Sequence, residues 1–286
     1  MTQPLVGFGL DFNLQPPATM RRLHEKFGHR LSHCSVVAME TVGDAETFRD
    51  IFKGLPLIHH LSNVAPGDAH GPHLDRLEQL DVLTRTLNAA WCGEDIGAWC
   101  IGPYAIPYFA APLFEREVAE LIGTRVASVI AKSSRPFLAE VPSCSFVAGR
   151  MSLGEFFHEL VSRSGCGVVL DVSHVYSYAL YQGLAPEAVL ASLPLDAVWE
   201  CHIAGGRADA KNPSVYIDNH FDRILPEVVE LLGLAAARCP NLKAVTYEFA
   251  AKCTDEQVDA ELSRLEQALS AQNFTARIRQ PVPAPQ

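Results

Sequence analysis

Eight short runs of β-branched or otherwise apolar residues punctuate the sequence, and a longer stretch of helical period separates most neighbours. The runs are Val6–Phe12, Ser35–Glu40, Leu57–Leu61, Trp91–Ile96, Phe137–Val141, Gly167–Val172, Ala197–Ile203 and Leu242–Phe249. Between them Ala18–Phe27, Leu74–Leu87, Glu115–Ala131, Leu153–Arg163 and Pro226–Ala237 repeat apolar residues three or four apart, and Asp255–Leu269 supplies a last helix. Asp44 before Ala45, Pro186 ahead of Glu187, and Thr254 three residues before Gln257 mark helix starts. From Leu5 to Gln272 the alternation recurs about every 33 residues, close to the size of a βαβ element. This predicts an α/β chain folded as a single closed (β/α)8 TIM barrel over residues 1–272, with Asn273–Gln286 as a flexible tail. An open doubly wound sheet is the alternative. It favours a glycine-rich phosphate turn after the first strand, whereas Gly7-x-Gly9 falls inside that strand.

Composition narrows the function classes. Hydrophobic residues make up 48% and charged ones 20%, enough for a large core and too apolar for a disordered chain. The net charge of −10 argues against nucleic acid as a partner, because no cation excess exists to displace counterions. No apolar run approaches the roughly 20 residues of a membrane helix, and Met1–Leu14 lacks the basic start of an export signal. The expectation is a soluble, unexported, cytoplasmic protein with no membrane partner. Eight cysteines form no C-x-x-C pair, so free buried thiols are expected rather than disulfides or a zinc finger.

The chemistry is positional. The third predicted strand ends His59-His60, the fourth Gly93-Glu94-Asp95, and the fifth Ala139-Glu140. The sixth ends Asp171-Val172-Ser173-His174. The seventh carries Glu200-Cys201-His202, with Asp218-Asn219-His220 in the loop beyond, and the eighth ends Tyr247-Glu248. Strand side chains alternate, so Glu140, Asp171 and His202 share the inward face and converge on the barrel mouth. Two unit charges about 4 Å apart cost about 4 kcal/mol at an effective dielectric of about 20. Asp95, Glu140, Asp171, Asp218 and Glu248 must therefore protonate, spread apart, or share cations. With His60, His174, His202 and His220 interleaved, a metal site is the economical reading, and this nitrogen and oxygen set suits iron, manganese or zinc. Each residue alone has a plainer role open to it, as a helix cap, a buried hydrogen bond or a partner of arginine. Glu200 lies one layer deeper and orients or pairs. Glu94 faces the other way, toward a surface or helix contact. His24, His29, His33, His70, His73 and His158 sit in loops or helices as structural residues. The long connections Gly97–Pro112 and Gly205–Leu225 both follow strand ends, so they overhang the same face.

At these residues the sequence resembles the multinuclear non-haem iron-dependent oxidative enzymes, which include methanobactin-maturing and 3-thiaglutamate-forming enzymes. The matching stretches are Phe137–Ser143 (FLAEVPS), Gly165–Tyr176 (GCGVVLDVSHVY), His202–Gly206 (HIAGG), Ile217–Asp222 (IDNHFD) and Val245–Phe249 (VTYEF), with weaker similarity at Pro56–His60 and Gly93–Ile96. The resemblance implies that Glu140, Asp171, His202 and Glu248 are central, catalytic iron ligands. It also implies that His60, Asp218 and His220 join them. The sequence departs from the family pattern in having Asp95 where His is common, His174 where Asn is common, and Gly206 in place of a second His. Asp95 and His174 are competent ligands; Gly206 is not, which leaves the iron count at two or three.

What the resemblance implies for function is a mixed ferrous and ferric cluster. With O2 as cosubstrate, it oxidises a cysteine of a ribosomally made precursor peptide, and a small partner protein recognises the peptide leader. The segments IGPYAIPYF, EVPSCSF and HVYSYAL point to the 3-thiaglutamate-type branch, in which the β-carbon of a C-terminal cysteine is excised. Barrels of the xylose-isomerase and endonuclease IV type also set Glu, Asp and His around divalent metals. A sugar isomerase or phosphodiesterase without redox chemistry is thus the competing enzyme class, and a non-catalytic peptide or metal binder a third.

Overall fold

The computed structural model describes residues 7–271 except 14, 38, 102, 103 and 145, so the expected tail at 273–286 lies outside the described residues. First come β1 (Gly7–Phe12), α1 (Pro17–Phe27), β2 (His33–Val36), α2 (Val42–Ile51), β3 (Leu57–His60), α3 (Leu74–Leu87) and β4 (Cys92–Asp95). The hairpin of β5 (Ala98–Ile101) and β6 (Tyr104–Ala110) follows, then α4 (Arg116–Lys132), β7 (Phe137–Glu140), α5 (Leu153–Ser164) and β8 (Gly167–Asp171). Helices α6 (Val172–Gln182) and α7 (Pro186–Ala191) lead to β9 (Val198–Ala204) and a second hairpin of β10 (Gly206–Ala208) and β11 (Tyr216–Asp218). Last come α8 (Pro226–Arg238), β12 (Ala244–Glu248) and α9 (Asp255–Ala271). The remaining eight strands close a parallel barrel in the order β1-β12-β9-β8-β7-β4-β3-β2.

Two apolar layers hold it. Ile58, Trp91, Leu138, Val169 and Ala244 plug the barrel interior below the mouth. The outward strand faces pack on the helices through residues such as Leu10, Phe12, Phe156 and Phe157, all fully buried. Burial on both sides is why the strands read as continuous apolar runs. Local chemistry sets the helix ends. Ser152 and Glu155 form a reciprocal capping box for α5, and Gly165 ends that helix in the left-handed conformation at φ 69°. Thr254 and Gln257 exchange the same pair of bonds ahead of α9.

Three expectations need correction. Helix α2 begins at Val42 rather than behind Asp44: Thr41 is the cap, and Asp44 is its partner three residues on. The second strand is His33–Val36, not Ser35–Glu40, and His33 therefore lies in a strand instead of a loop. An apolar pattern cannot reveal a buried histidine whose Nε2 is satisfied by Thr246 Oγ1 at 2.9 Å. Gly9 makes that burial possible, since a Cβ there would stand 2.3 Å from His33 Nε2. The long connections, expected only to overhang the mouth, each fold into a hairpin.

All eight cysteines are free, and six of them are buried. Among the described residues no helix is long and apolar enough to cross a membrane.

Candidate metal centre

Strand register brings the acids and imidazoles together. Asp95 stands beside Glu140, Asp171 beside His202, and His60 beside Gly93. Glu140 is the hub. Its Oε2 hydrogen-bonds His60 Nε2 at 2.8 Å and its Oε1 hydrogen-bonds His202 Nδ1 at 3.0 Å. His202 Nδ1 is also 3.4 Å from Glu248 Oε1, and His60 Nε2 is 3.9 Å from Asp95 Oδ2.

The start of α6 adds two more groups. Asp171 caps the helix, its Oδ1 accepting the Ser173 and His174 backbone N–H groups at 2.6 and 2.9 Å. One turn in, His174 is steered by Val141 carbonyl on Nδ1 at 2.7 Å, which presents Nε2 to Asp218 Oδ2 at 3.0 Å. The second hairpin supplies Asp218 and, just beyond, His220, whose Nε2 is 3.3 Å from Asp218 Oδ2 and 3.8 Å from Glu248 Oε2. His220 holds a left-handed backbone, φ 55°, fixed by its N–H on Gly205 carbonyl and its carbonyl on Ala250 N–H.

Among the described residues three metal-sized groups result: His60–Glu140–His202, Asp95–Glu140–His174, and Asp171–His202–Glu248. Within each group, one ligand atom per residue lies within 4.8 Å of the others. Seven of the nine sequence-derived candidates fall into these groups. Asp218 and His220 stand outside them, hydrogen-bonded at their edge.

Charge decides what such a site requires. Seven buried carboxyl side chains, from Asp11, Asp95, Glu140, Asp171, Glu200, Asp218 and Glu248, surround the imidazoles of His60, His174, His202 and His220. Burial alone would lower the His60 imidazole, but its hydrogen bond to Glu140 and the charges of Glu140 and Asp95 push it up to about 10. His174 and His202 are held well above the usual histidine range in the same way, by Asp171 and Asp218 and by Glu140 and Glu248. Burial opposes ionisation of Glu140, yet its imidazole partners hold it well below the usual carboxylate range. Burial prevails at Asp95 and Asp171 and carries Glu248 to about 7. Carboxyls thus outnumber imidazoles, and burial favours the protonated form at Asp95, Asp171 and Glu248. Buried Asp95 Oδ1, Asp171 Oδ2 and Asp218 Oδ1 make no hydrogen bond. Orphaned carboxylate oxygens beside imidazoles suit bound divalent or trivalent cations.

Below the groups, Glu200 is clamped. Its Oε1 contacts His202 Nε2 at 3.1 Å and accepts Thr246 Oγ1–H at 2.5 Å, while its Oε2 accepts Trp91 Nε1–H at 2.7 Å. This fixes the ring of His202 from behind. Glu200→Gln should therefore weaken metal binding about 10- to 100-fold while the chain stays folded. Anaerobic metal titration with circular dichroism checks it, and unchanged affinity would refute the clamp. Glu94 differs from expectation. It is fully buried and accepts the Val64 and Ala65 backbone N–H groups, so it secures the connection after β3 rather than meeting a surface or helix. His59, bonded to Thr84, is likewise structural.

Sequence reasoning missed Asp11 and Trp99. Asp11 ends β1 in register with Glu248, 4% exposed, with Oδ1 unpartnered. An acid closing an apolar run was the available signal. Trp99 packs on Phe109 in the first hairpin, its Nε1–H buried without a partner. Both residues line a cavity of about 150 Å³ over the groups, shared with His60, Asp95, Glu140 and Glu248. At Gly206, where the resemblance lacks its second histidine, a Cβ would meet the Tyr216 ring at 2.5 Å. The tyrosine fills that space.

Comparison with known proteins places the chain. The family model RiPP precursor modification enzyme MbnB/TglH/ChrH matches residues 8–270. A UPF0276 protein of Paraburkholderia phytofirmans is 30% identical over 222 residues, 74% of this chain and 67% of that one. One from Caulobacter vibrioides is 27% identical over 184 residues, and the match spans 64% of each chain. Among solved structures, endonuclease IV from Thermus thermophilus superposes with a TM-score of 0.61 at 16% identity, covering 92% of this chain and 99% of that one. A xylose isomerase-like TIM barrel protein from Mycobacterium smegmatis in complex with magnesium gives 0.60 at 12% identity, covering 96% and 98%. These likenesses establish the xylose-isomerase-like barrel, and the family match goes further: the chain belongs to the MbnB/TglH/ChrH family of RiPP precursor modification enzymes.

Proposed function

We propose that this protein uses two or three iron ions and O2 to oxidise a cysteine of a ribosomally made precursor peptide, in its finer form excising the β-carbon of a C-terminal cysteine. The observation that carries the reading is the set of three overlapping groups sharing Glu140 and His202. A single-metal hydrolase or isomerase needs one such group. Asp95, Glu140 and His174 would hold one ion, and His202, with Nε2 engaged by Glu200, would give Nδ1 to one other, beside either His60 and Glu140 or Asp171 and Glu248, with Asp218 and His220 at the edge. Bound iron would supply redox capacity, and O2 the oxidising equivalents.

The chain's own residues do the rest. Glu200, Thr246 and Trp91 hold His202 in one orientation, and Val141 carbonyl holds His174. Trp99 and Phe109 roof the cavity and keep water from a bound thiol. Asp11 Oδ1 is free to accept a hydrogen bond from the peptide. A positioned thiol in a confined space turns a collision into an oriented reaction. A small leader-binding partner protein would deliver the peptide, and the cytoplasm would be its compartment.

The test is anaerobic loading with ferrous iron, addition of a cysteine-bearing precursor peptide from the same gene neighbourhood with its companion protein, then O2. A changed peptide mass with matching O2 uptake is expected. Bound iron with unchanged peptide mass rejects the reading, and selective retention of zinc or manganese with no O2 uptake favours the non-redox class.

A further inference from the structure

Beside the cavity over the metal-sized groups lies a second one, and the two share a wall at Val37. The second encloses about 220 Å³ between the exit of β1, the first turn of α1 and the middle of α2. Its place follows from the strand ends. Val37 donates its N–H to Phe12 carbonyl at 3.3 Å, which prolongs the β1–β2 pairing past β2 and fixes Val37 at the rim of the mouth.

Gln15 is what distinguishes this cavity. It is 3% exposed, it lines the space, and neither Nε2 nor Oε1 of its amide makes a hydrogen bond. Burying a polar group unpaired is costly, so native structures satisfy nearly all of them. The other polar side chains of this lining are committed to their own helix. Asp44 Oδ2 accepts Thr41 N–H at 2.9 Å and Thr41 Oγ1–H at 2.8 Å, and Thr47 Oγ1–H donates to Gly43 carbonyl at 2.7 Å. Pro17, Met20, Val37 and Phe48 make the remainder apolar. A carboxamide in such a pocket recognises another amide, its Nε2–H donating to a carbonyl while its Oε1 accepts an N–H. A dry cavity of about 150 Å³ already takes a benzene ring. This one, at about 220 Å³, has room for an apolar side chain beside the amide.

The two cavities follow one polar edge. Asp11 and Asn13 line the first and Gln15 the second, alternate residues of the β1 exit. At about 3.3–3.6 Å per residue, the four-residue step from Asp11 to Gln15 spans at most about 14 Å. An extended peptide whose cysteine reaches the metal-sized groups, and which passes Val37, therefore brings a residue within about four positions of that cysteine to Gln15. We propose that Gln15 binds the substrate backbone: its amide pairs with the N–H and C=O of one residue on the N-terminal side of the reacting cysteine, and that residue's apolar side chain lies against Met20 and Phe48. The assignment rests on the function proposed above, in which a C-terminal cysteine has neighbours on that side alone. The pairing is the same before and during reaction, so it sets KM and not kcat.

The test is anaerobic binding of the leaderless core of the precursor peptide to the iron-loaded full chain, which requires no turnover. Gln15→Met keeps the length and removes the amide. It should bind the peptide about tenfold more weakly, the loss of two neutral hydrogen bonds, with iron content unchanged. Its melting temperature without peptide should not fall, because no hydrogen bond within the chain is lost. A backbone N-methyl group, placed in turn on each of the four residues before the cysteine, should weaken binding to the wild type about tenfold at one position. That position should cost nothing further in Gln15→Met, and Gln15→Leu serves in its place should Gln15→Met fold poorly. Unchanged binding in the variant, or an N-methyl penalty that persists in it, overturns the proposal and leaves the function standing. A penalty confined to replacing an Asn or Gln side chain of the peptide also overturns it, in favour of a side-chain amide as the partner. Core peptide that does not bind, while full precursor is still oxidised, overturns the proposal alone. Neither binding nor oxidation of any precursor overturns the function and this proposal with it.

Discussion

Glu140→Ala should strip at least half of the bound iron and lower turnover of the peptide about 10²- to 10³-fold. No other side chain belongs to the same two groups with an oxygen on each of two imidazoles, His60 at 2.8 Å and His202 at 3.0 Å. Removing one partner of a buried charge pair costs about 3–5 kcal/mol, and each 1.4 kcal/mol is about tenfold in affinity. His60 suffers most, because its next carboxylate, Asp95, is 3.9 Å away. His202 keeps Glu200 at 3.1 Å and Glu248 at 3.4 Å. The loss should therefore fall on the two groups that contain Glu140 and spare Asp171–His202–Glu248. Glu140→Gln separates charge from shape: it fills the same space, accepts and donates hydrogen bonds, and should still lose the metal. Iron counted per chain after anaerobic reconstitution, with circular dichroism to confirm folding, reads the outcome. Full iron content and wild-type turnover in both variants would remove Glu140 from the centre.

The barrel was legible because its strands are buried on both faces. That forces apolar runs such as Gly167–Leu170, and an acid at the end of a run, as at Asp95, Glu140, Asp171 and Glu248, marks the point where the strand reaches the mouth. Alternation then placed Glu140, Asp171 and His202 on one face, where the structure has them. What stayed hidden depends on partners distant in sequence. His33 looks polar and loop-like until Gly9 and Thr246 are beside it. Glu94 does point away from Asp95, as alternation requires, but a loop covers that side, so a surface contact becomes a buried clamp on Val64 and Ala65. The second hairpin has strands of three residues, too short for any period to register. Asp11 obeyed the same rule as the other strand-end acids; the glycines before it drew attention to a phosphate turn instead.

Ferrous iron added under anaerobic conditions should raise the melting temperature of the metal-free protein, and by more at pH 8 than at pH 6. The sign follows from the surplus acids. Glu248 is raised from 4.5 to about 7 in the fold, so the stability it contributes is complete below 4.5 and is lost as pH rises through 7. Glu94, raised to about 7 by burial against the pull of the Ala65 N–H, loses its contribution over the same window. His60, raised from 6.5 to about 10, contributes fully below 6.5 and gives that up as pH rises through 10. The metal-free protein therefore weakens between pH 5 and 10 as protons leave first these carboxyls and then the His60 imidazolium. Those departing protons are the ones a cation replaces, so affinity for metal rises over the same range. A ligand at 100 times its dissociation constant stabilises the native state by about 2.7 kcal/mol. At about 2–4 °C per kcal/mol for a chain somewhat longer than 150–250 residues, this predicts a gain of about 5–10 °C at pH 8 and less at pH 6. Asp171→Asn/Glu248→Gln removes two of the surplus acids and should flatten both the pH dependence without metal and the gain with it. The clamp at Glu94 lies outside the three groups, so its contribution to the pH slope should survive iron loading. A melting temperature unmoved by iron at either pH, or moved more at pH 6, contradicts a cation site built on these carboxylates.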